Sequence, residues 1–199
     1  MSGPLGFLVF DTAIGPCGLA WSERGIYAAQ LPEGSEEATR TRLRIRARGA
    51  PEGEPPDFVT KARDSVVALM RGTAVDFSDT PLDLKRVPAF NRSVYAVARA
   101  IPCGETLTYG DIAQRLGDPL LARAVGHALG KNPIPIIIPC HRILAAGAKT
   151  GGFSAPGGVT TKLRMLAIEG ALANDAPTLF DNDGVFGNVS GGTIRLRRA

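Results

Sequence analysis

The sequence predicts an α+β protein in which a small antiparallel sheet with helices is followed by a mainly helical unit. Three short runs near the N-terminus alternate apolar residues with polar or small ones, which is the period of a half-buried strand. Further along the chain, apolar residues recur at helical spacing in several separate segments. Two of these segments are short and meet at a glycine, an arrangement that is typical of a helix-turn-helix.

The three alternating runs cover residues 6–12, 17–22 and 26–31. Turn residues separate them, with Gly15-Pro16 after the first run and Gly25 after the second. Short alternating runs joined by such turns predict a small antiparallel meander.

Two helices are predicted after the meander. Ser35 precedes two glutamates and is a suitable N-cap for a helix over residues 36–47. An apolar stripe over residues 58–70 predicts the second helix, which Gly72 ends. No catalytic constellation is found in this part, so we expect residues 1–87 to form a support domain.

A second unit is predicted from residue 88, and it begins with a helix that ends before Pro102. Thr108 is a suitable cap for the next short helix, and Asp118 with Pro119 is a typical start for another, over residues 120–130. Together these two helices predict a helix-turn-helix whose second helix exposes Arg123 and His127.

The run from Ile134 to Arg142 reads Ile-Pro-Ile-Ile-Ile-Pro-Cys-His-Arg. It is short and β-branched, and this predicts a buried strand that presents Cys140 at its end. A strand after a helix-turn-helix favours a winged helix. We therefore expect a C-terminal domain over residues 88–172, followed by a Gly-, Asn- and Asp-rich mobile tail over residues 173–199.

Composition limits the classes of function. With 199 residues, 44% hydrophobic and 21% charged, the chain is typical of a globular protein. Because no apolar stretch approaches the length of a membrane span and no basic leader precedes one, we expect a cytoplasmic protein without membrane contact. Its three cysteines are far apart and lack CxxC spacing, so we predict neither disulfides nor a metal or cofactor.

Positive charge is concentrated in the segment that holds Cys140. Residues 1–89 carry eleven Lys and Arg against twelve Asp and Glu, a balance of −1, whereas residues 90–170 carry nine against four, a balance of +5. Such a distribution suits a polyanionic partner such as nucleic acid, although a well-solvated surface is an equal alternative on charge alone.

The chemistry is expected at Cys140, which is followed by one of only two histidines in the chain. A neighbouring cation or base activates a thiol, whereas the alternative is a cysteine that serves as a small core residue. Adjacent residues of a strand point to opposite faces, so we expect a bend or a bridging water between Cys140 and His141. Glu169, in the last turn of a helix predicted over residues 162–170, is the acid expected to orient His141.

These motifs resemble one protein family. The residues that carry the resemblance are Pro139-Cys-His-Arg142, preceded by Asn132-Pro-Ile-Pro135, Arg123-Ala-Val-Gly126 and Gly104-Glu-Thr-Leu-Thr-Tyr-Gly110. In this order and spacing they resemble the O6-alkylguanine-DNA alkyltransferases, the methylated-DNA–protein-cysteine methyltransferases. The resemblance covers residues 90–170 and implies a ribonuclease-H-like fold for the N-terminal domain.

The resemblance also implies roles for individual residues. Cys140 would accept the alkyl group irreversibly, His141 would act through water as its base, and Glu169 would orient His141. Tyr109 would lie against the guanine, and Arg123 would fill the space left by the flipped nucleotide. The further substrate or DNA contacts are Asn132, which would secure the turn before the strand, Arg142, Phe153 and Ser154.

The loop over residues 147–158 is rich in glycine and is expected to close over the base, with Ser154 donating a hydrogen bond to O6, whereas the alternative is an ordinary surface loop. Phe153 stands where the family commonly has a tyrosine, and Ala155-Pro156 lengthens the loop by two residues. In the tail, residues 177–181 weakly suggest a sliding-clamp peptide, and Arg195, Arg197 and Arg198 could contact phosphates.

The resemblance thus implies a DNA repair protein that flips O6-alkylguanine out of double-stranded DNA and is consumed by the transfer, and we expect it to be a monomer. Three alternatives differ in class. A non-catalytic module that recognises alkylated DNA would not need Cys140, and a helix-turn-helix transcription regulator would leave the Pro-Cys-His-Arg motif unexplained. A cysteine hydrolase would need an oxyanion site and turnover.

Overall fold

A three-stranded antiparallel sheet opens the fold in the computed structural model, which describes residues 3–147 and 150–171. Its strands are β1 (Gly6–Phe10), β2 (Cys17–Ser22) and β3 (Gly25–Gln30), in the order β1-β2-β3. The predicted meander is confirmed, because each strand pairs with its neighbour along the chain.

The sheet is buried on both faces. Phe7, Ala20 and Ala28 lie on one face and pack with Leu43 of helix α1 (Glu36–Arg46). Residues of the opposite face, among them Leu19, belong to the main core. Neighbouring residues in a strand point to opposite faces of the sheet. Both faces pack against apolar side chains here, so the alternation in the sequence does not separate a solvent-exposed face from a buried one.

Helices α1 and α2 (Asp57–Met70) follow their predicted positions to within two residues. Ser35 caps α1, because its side chain accepts a hydrogen bond from the amide of Ala38 at 3.1 Å. The inward face of α2 carries the stripe seen in the sequence, with Val59 and Val66 completely buried.

Helix α3 (Ala89–Arg99), strand β4 (Leu107–Thr108) and helix α4 (Tyr109–Arg115) come next. A capping box fixes the start of α4: Thr108 Oγ1 accepts from the amide of Asp111 at 3.1 Å, and the Asp111 carboxylate accepts from the amide of Thr108 at 2.7 Å. Tyr109 is thereby held at the first helical position.

The helix predicted over residues 120–130 is shorter than expected. Asp118 caps a 3-10 turn, Pro119–Leu121, and the α-helix α5 spans only Ala122–Gly130. Proline suits the first position of either helix type, so the sequence cap could not distinguish them. Leu120 in this turn is 90% exposed, whereas Val125 and Leu129 face the core as predicted.

The prediction of a strand after α5 is wrong. Residues 132–139 form turns, and a second 3-10 turn, Cys140–Arg142, precedes a two-residue strand β5 (Ile143–Leu144), which pairs in parallel with β4. Helix α6 (Gly158–Ile168) begins four residues earlier than expected and has Glu169 as its C-cap.

One apolar core joins the two parts of the chain. A single cluster of buried side chains runs from Leu8 in β1 to Met165 in α6. Polar contacts add to it: the Ala29 amide of β3 donates to the carbonyl of Pro133 at 3.0 Å, and Arg164 of α6 donates to the carbonyl of Ala13 at 2.7 Å. The segment before Cys140 therefore rests directly on the edge of the sheet.

Among the described residues, no helix combines the length and apolar character that crossing a bilayer requires. The predicted mobile tail, with residues 177–181 and the three terminal arginines, lies outside the described residues.

Candidate active site

The segment before Cys140 is a buried, hydrogen-bonded turn. Its four isoleucines, Ile134, Ile136, Ile137 and Ile138, are at most 1% exposed. Ile136 has a φ of +76°, a backbone conformation that costs a β-branched residue about 1–3 kcal/mol. The surrounding core and the side chain of Asn132 hold it, because Asn132 Oδ1 accepts from the amide of Ile134 at 2.9 Å and Nδ2 donates to the carbonyl of Ile138 at 2.8 Å.

The chain bends sharply at Pro139. Its φ and ψ of −80° and 64° are those of an inverse γ-turn, and the amide of Cys140 donates across it to the carbonyl of Ile138 at 2.8 Å. This bend was one of the two geometries expected from the sequence. It places Cys140 in an open pocket while His141, the next residue, is completely buried.

Cys140 is partly exposed and receives several favourable interactions. Asn132 Nδ2 donates to its Sγ at 3.3 Å. Burial raises the pKa of the Cys140 thiol, but the Asn132 hydrogen bond, the charge of Lys162 and the backbone amides of Cys140 and His141 oppose that effect. The site therefore favours a protonated resting thiol whose thiolate has several stabilising partners.

Behind the thiol lies a buried network of charged side chains. His141 Nε2 lies 2.9 Å from Glu169 Oε1, and Arg142 donates to both carboxylate oxygens of Glu169, from Nε at 2.8 Å and from Nη2 at 2.9 Å. Burial raises the pKa of Glu169, but His141 and Arg142 outweigh it and lower that pKa to about 2. Glu169 is thus ionised and can hold the proton of His141 on Nε2.

The other ring nitrogen of His141 has a different environment. Among the side chains of the described residues, Nδ1 of His141 is one of two buried polar atoms without a hydrogen-bond partner. Because Glu169 occupies Nε2, Nδ1 is the ring atom that can accept a proton.

Lys162 is the main component of the site that sequence reasoning missed. It is completely buried in α6, and its Nζ donates to the carbonyl of Ile143, just after the 3-10 turn, at 2.6 Å. Burial lowers the pKa of Lys162 to about 8, although the nearby Cys140 acts in the opposite direction. Lys162 and Glu169 are seven residues apart, which is about two helical turns, so both lie on the same face of the helix. This spacing is the feature of the sequence that could have indicated that Lys162 faces the site.

A pocket of about 580 Å³ opens over Cys140. The predicted residues Asn132, Phe153 and Ser154 line it, and Ser154 Oγ donates to the carbonyl of Gly130 at 3.2 Å. The opposite wall was not predicted, because it comes from the end of β3 and from α1, far away in the sequence.

Tyr109 and Arg123 lie outside the lining of this pocket. Tyr109 Oη is 3.5 Å from the carbonyl of Gly152, and burial together with the nearby Cys140 raises the pKa of the phenol. Arg123 is exposed on α5, as predicted.

Arg142 requires a correction. Arg142 is predicted from the sequence to contact DNA, but it is only 3% exposed, and its guanidinium is engaged by Glu169 and by the carbonyl of Ile101 at 2.6 Å. A side chain held in this way has no free donor face for a phosphate. Arg142 therefore belongs to the charged network behind the thiol.

No cluster of three or more His, Cys, Asp or Glu side chains that could hold a metal ion occurs within residues 3–147 and 150–171.

Comparison with known proteins gives a consistent result. Residues 89–171 match the family described as 6-O-methylguanine DNA methyltransferase, DNA binding domain. The methylated-DNA–protein-cysteine methyltransferase of Mycobacterium bovis is 36% identical over 88% of this chain and 98% of its own length. That of Methanothermobacter thermautotrophicus is 34% identical over 77% and 78%. The crystal structure of Mycobacterium tuberculosis OGT in complex with DNA superposes with a TM-score of 0.67, at 34% identity over 83% of this chain and 92% of that one.

Proposed function

The chain belongs to the methylated-DNA–protein-cysteine methyltransferase family, and we propose on that premise that it repairs O6-alkylguanine in double-stranded DNA by moving the alkyl group onto its own Cys140. One observation carries this proposal. Cys140 is a partly exposed thiol in a pocket, with an amide donor at 3.3 Å and a buried histidine and carboxylate directly behind it. Neither a core cysteine nor a transcription regulator needs such an arrangement.

The transfer is a single displacement. His141 Nδ1 takes the thiol proton through a water, and Glu169 stabilises the imidazolium. The sulfur then forms a bond to the alkyl carbon while the bond from that carbon to O6 breaks and leaves its electron pair on guanine. Tyr109 donates a hydrogen bond to the guanine as negative charge develops on it. The guanine then takes up one proton, which balances the proton that the thiol gave to His141.

Arg142, Asn132 and Lys162 have positioning roles in this proposal. Arg142 fixes the Glu169 carboxylate, Asn132 secures the turn and donates to the sulfur, and Lys162 adds a positive charge near the thiolate. Because a thioether is stable and nothing in the proposed chemistry cleaves it, each molecule acts once.

DNA is expected to bind at α5. The exposed Arg123 would replace the flipped nucleotide in the duplex. Leu120, an apolar side chain that is 90% exposed in the 3-10 turn before α5, suits contact with the minor groove, where apolar wedges are common. The base would enter the pocket beside Phe153, with Ser154 donating to O6.

The domain organisation is part of the proposal. We assign residues 1–87 to a ribonuclease-H-like support domain and residues 88–172 to a winged helix-turn-helix domain that acts as a monomer. Gly117, whose φ of +93° suits a tight turn, lies between α4 and the 3-10 turn that precedes α5, which supports the helix-turn-helix. We assign the short strand β5, which pairs with β4, to the wing.

The test is a mass measurement. The protein is incubated with duplex DNA that carries one O6-methylguanine, and its intact mass is expected to rise by about 14 Da, one methylene, on the peptide that contains Cys140. Cys140→Ala should show no gain, and Cys17→Ala is the matched control that should still react. A folded wild-type protein that binds the duplex but gains no mass would refute the transfer and favour the recognition module.

A further inference from the structure

The pocket over Cys140 extends well beyond the groups that a methyl transfer needs. Its volume of about 580 Å³ is in the range that holds ligands of drug size. Beyond Cys140 its lining includes Gln30, Glu33, Arg42, Arg46 and Lys131, which we call the outer subsite. None of these residues takes part in the mechanism proposed above.

Apolar side chains also line the pocket. They are Leu31, Leu129, Pro135, Phe153, Ala155 and Pro156. A group attached to the reacting carbon therefore shares one pocket with both apolar and charged side chains.

The outer subsite carries an excess of positive charge, with three cations against one carboxylate. That carboxylate, Glu33, is already engaged, since Gln30 Nε2 donates to its Oε1 at 2.9 Å and Arg42 Nε lies 3.9 Å from the same oxygen. The wall therefore presents cations that are only partly neutralised.

Arg46 is a fixed part of this wall. Its Nη1 donates to the carbonyl of Ala29 at 2.7 Å and to Gln30 Oε1 at 3.1 Å, and its Nη2 donates to the carbonyl of Pro133 at 2.6 Å. Burial and the charge of Arg42 lower the pKa of Arg46, whereas Glu33 raises it. A guanidinium stays charged in proteins, so these contacts hold a cation beside the turn that leads to Cys140.

We propose that the outer subsite selects O6-alkylguanines whose alkyl group is an apolar spacer that ends in an anion. An aromatic or aliphatic spacer would contact the apolar side chains of the lining, and the terminal anion would face Arg42, Arg46 and Lys131. The inference rests on the proposed function, because it names the substrates that the same thiol prefers.

The transfer itself is unchanged for these substrates. The Cys140 sulfur bonds to the benzylic or alkyl carbon, the bond from that carbon to O6 breaks, and guanine leaves with the electron pair and is protonated. The terminal anion takes no part in the bonds that form or break, so its effect is on binding and orientation alone.

Two free bases of matched shape and opposite charge test the proposal without DNA. O6-(4-carboxybenzyl)guanine and O6-(4-aminomethylbenzyl)guanine are reacted with the full chain, with O6-benzylguanine as the neutral reference, and thioether formation on Cys140 is followed by intact mass. We expect the carboxylate probe to react about tenfold faster than the amine, the size of one partly screened charge contact. The ratio should fall towards one in 0.5 M salt, where the screening length is only a few ångströms.

Variants locate the effect. Replacing both Arg42 and Lys131 by glutamine should reduce the ratio to about twofold or less, and Glu33→Gln should raise it, because a carboxylate is removed from the wall. Arg44→Gln is the control, since Arg44 is also on α1 but lies over the ring of Phe7, and it should leave the ratio unchanged.

Equal rates for the two charged probes, or a ratio that the double variant leaves intact, would overturn the inference. So would a protein that repairs O6-methylguanine in duplex DNA but reacts with none of the three benzyl bases. These results leave the proposed function standing. If Cys140 gains mass from neither the duplex nor the free bases, the proposed function fails and the inference fails with it.

Discussion

Cys17 and Cys140 are two thiols in one chain with opposite surroundings. Cys17 lies at the start of β2, is 1% exposed and has the hydroxyl of Thr12 at 3.6 Å, so burial raises its pKa to about 12. Cys140 is reached from a pocket, and donors and a cation oppose the effect of burial on its pKa. Burial by itself thus makes a thiol inert, and access together with stabilising partners gives it chemistry.

The largest predicted difference is in thiol labelling. In a Cys103→Ser background at neutral pH, iodoacetamide should modify Cys140 much faster than Cys17, because Cys140 lines an open pocket whereas Cys17 is buried and its pKa is raised to about 12. Peptide mapping at timed intervals measures both rates. Comparable labelling of the two sites in the folded protein would contradict the comparison.

Breaking the charged network behind Cys140 should have the next largest effect. Glu169→Gln leaves the buried Arg142 without its counter-charge and should lower the free energy of unfolding by about 3 to 5 kcal/mol. Urea denaturation measures this value. The control is Glu37→Gln, on the surface of α1, which should change the midpoint little.

The same network predicts an acid dependence. Because the pKa of Glu169 is lower in the folded protein than its ordinary value near 4.5, its contribution to stability is complete above pH 4.5 and is lost as the pH falls towards 2. Glu169→Gln should therefore flatten the stability curve of the wild type in this interval. If the unfolding free energies of the two proteins fell in parallel with pH, carboxylates other than Glu169 would account for the acid dependence.

Lys162→Met should make the environment of Cys140 more similar to that of Cys17, because it removes the positive charge near the Cys140 thiolate. Loss of the charge should slow transfer about tenfold at neutral pH and move the alkaline rise of the rate to higher pH. The rates of the two proteins should converge at high pH, which a merely structural defect would not produce. Single-turnover rates from pH 6 to 10 provide the test.

Stability should respond differently to Lys162→Met. With a folded pKa of about 8 against an ordinary 10.5, the charged lysine is disfavoured in the fold; the penalty is complete below pH 8 and disappears as the pH rises to 10.5. The variant should consequently match or exceed the wild type in unfolding free energy at pH 7. A large loss at that pH would contradict this account.

The smallest effect is expected on the Cys17 side. Thr12→Val removes the hydroxyl near the Cys17 sulfur and its bond to the Gly15 carbonyl, and should cost about 1 kcal/mol of stability. The rate of transfer should be unaffected. A slower transfer would mean that the two thiol environments are coupled through the core.

The elements that were predicted correctly depend on nearby residues. The Ser35 cap and the capping box of Thr108 and Asp111 are local hydrogen bonds, so the sequence contains both partners within a few positions. The alternating strands of the meander are equally local, because adjacent strands are joined by short turns.

The wrong and missing elements depend on distant partners. Ile134–Ile138 has strand propensity, but Asn132 and the edge of β3 hold it as a turn with Ile136 at positive φ. Arg142 looks like a surface cation until Glu169, 27 residues later, is placed against it. Lys162 was overlooked because lysine is rarely buried completely. The outer subsite was overlooked because four of its five residues lie about a hundred positions from Cys140.

The edges of the three-stranded sheet are covered along part of their length. Glu52 bridges to Phe7 of β1, Leu82 bridges to Ile26 of β3, and the Ala29 amide of β3 is bound by Pro133. An uncovered edge is a template for pairing with another chain. The segment that leads to Cys140 therefore has a second role, because the same turn that positions the thiol also shields part of β3 from pairing with another chain.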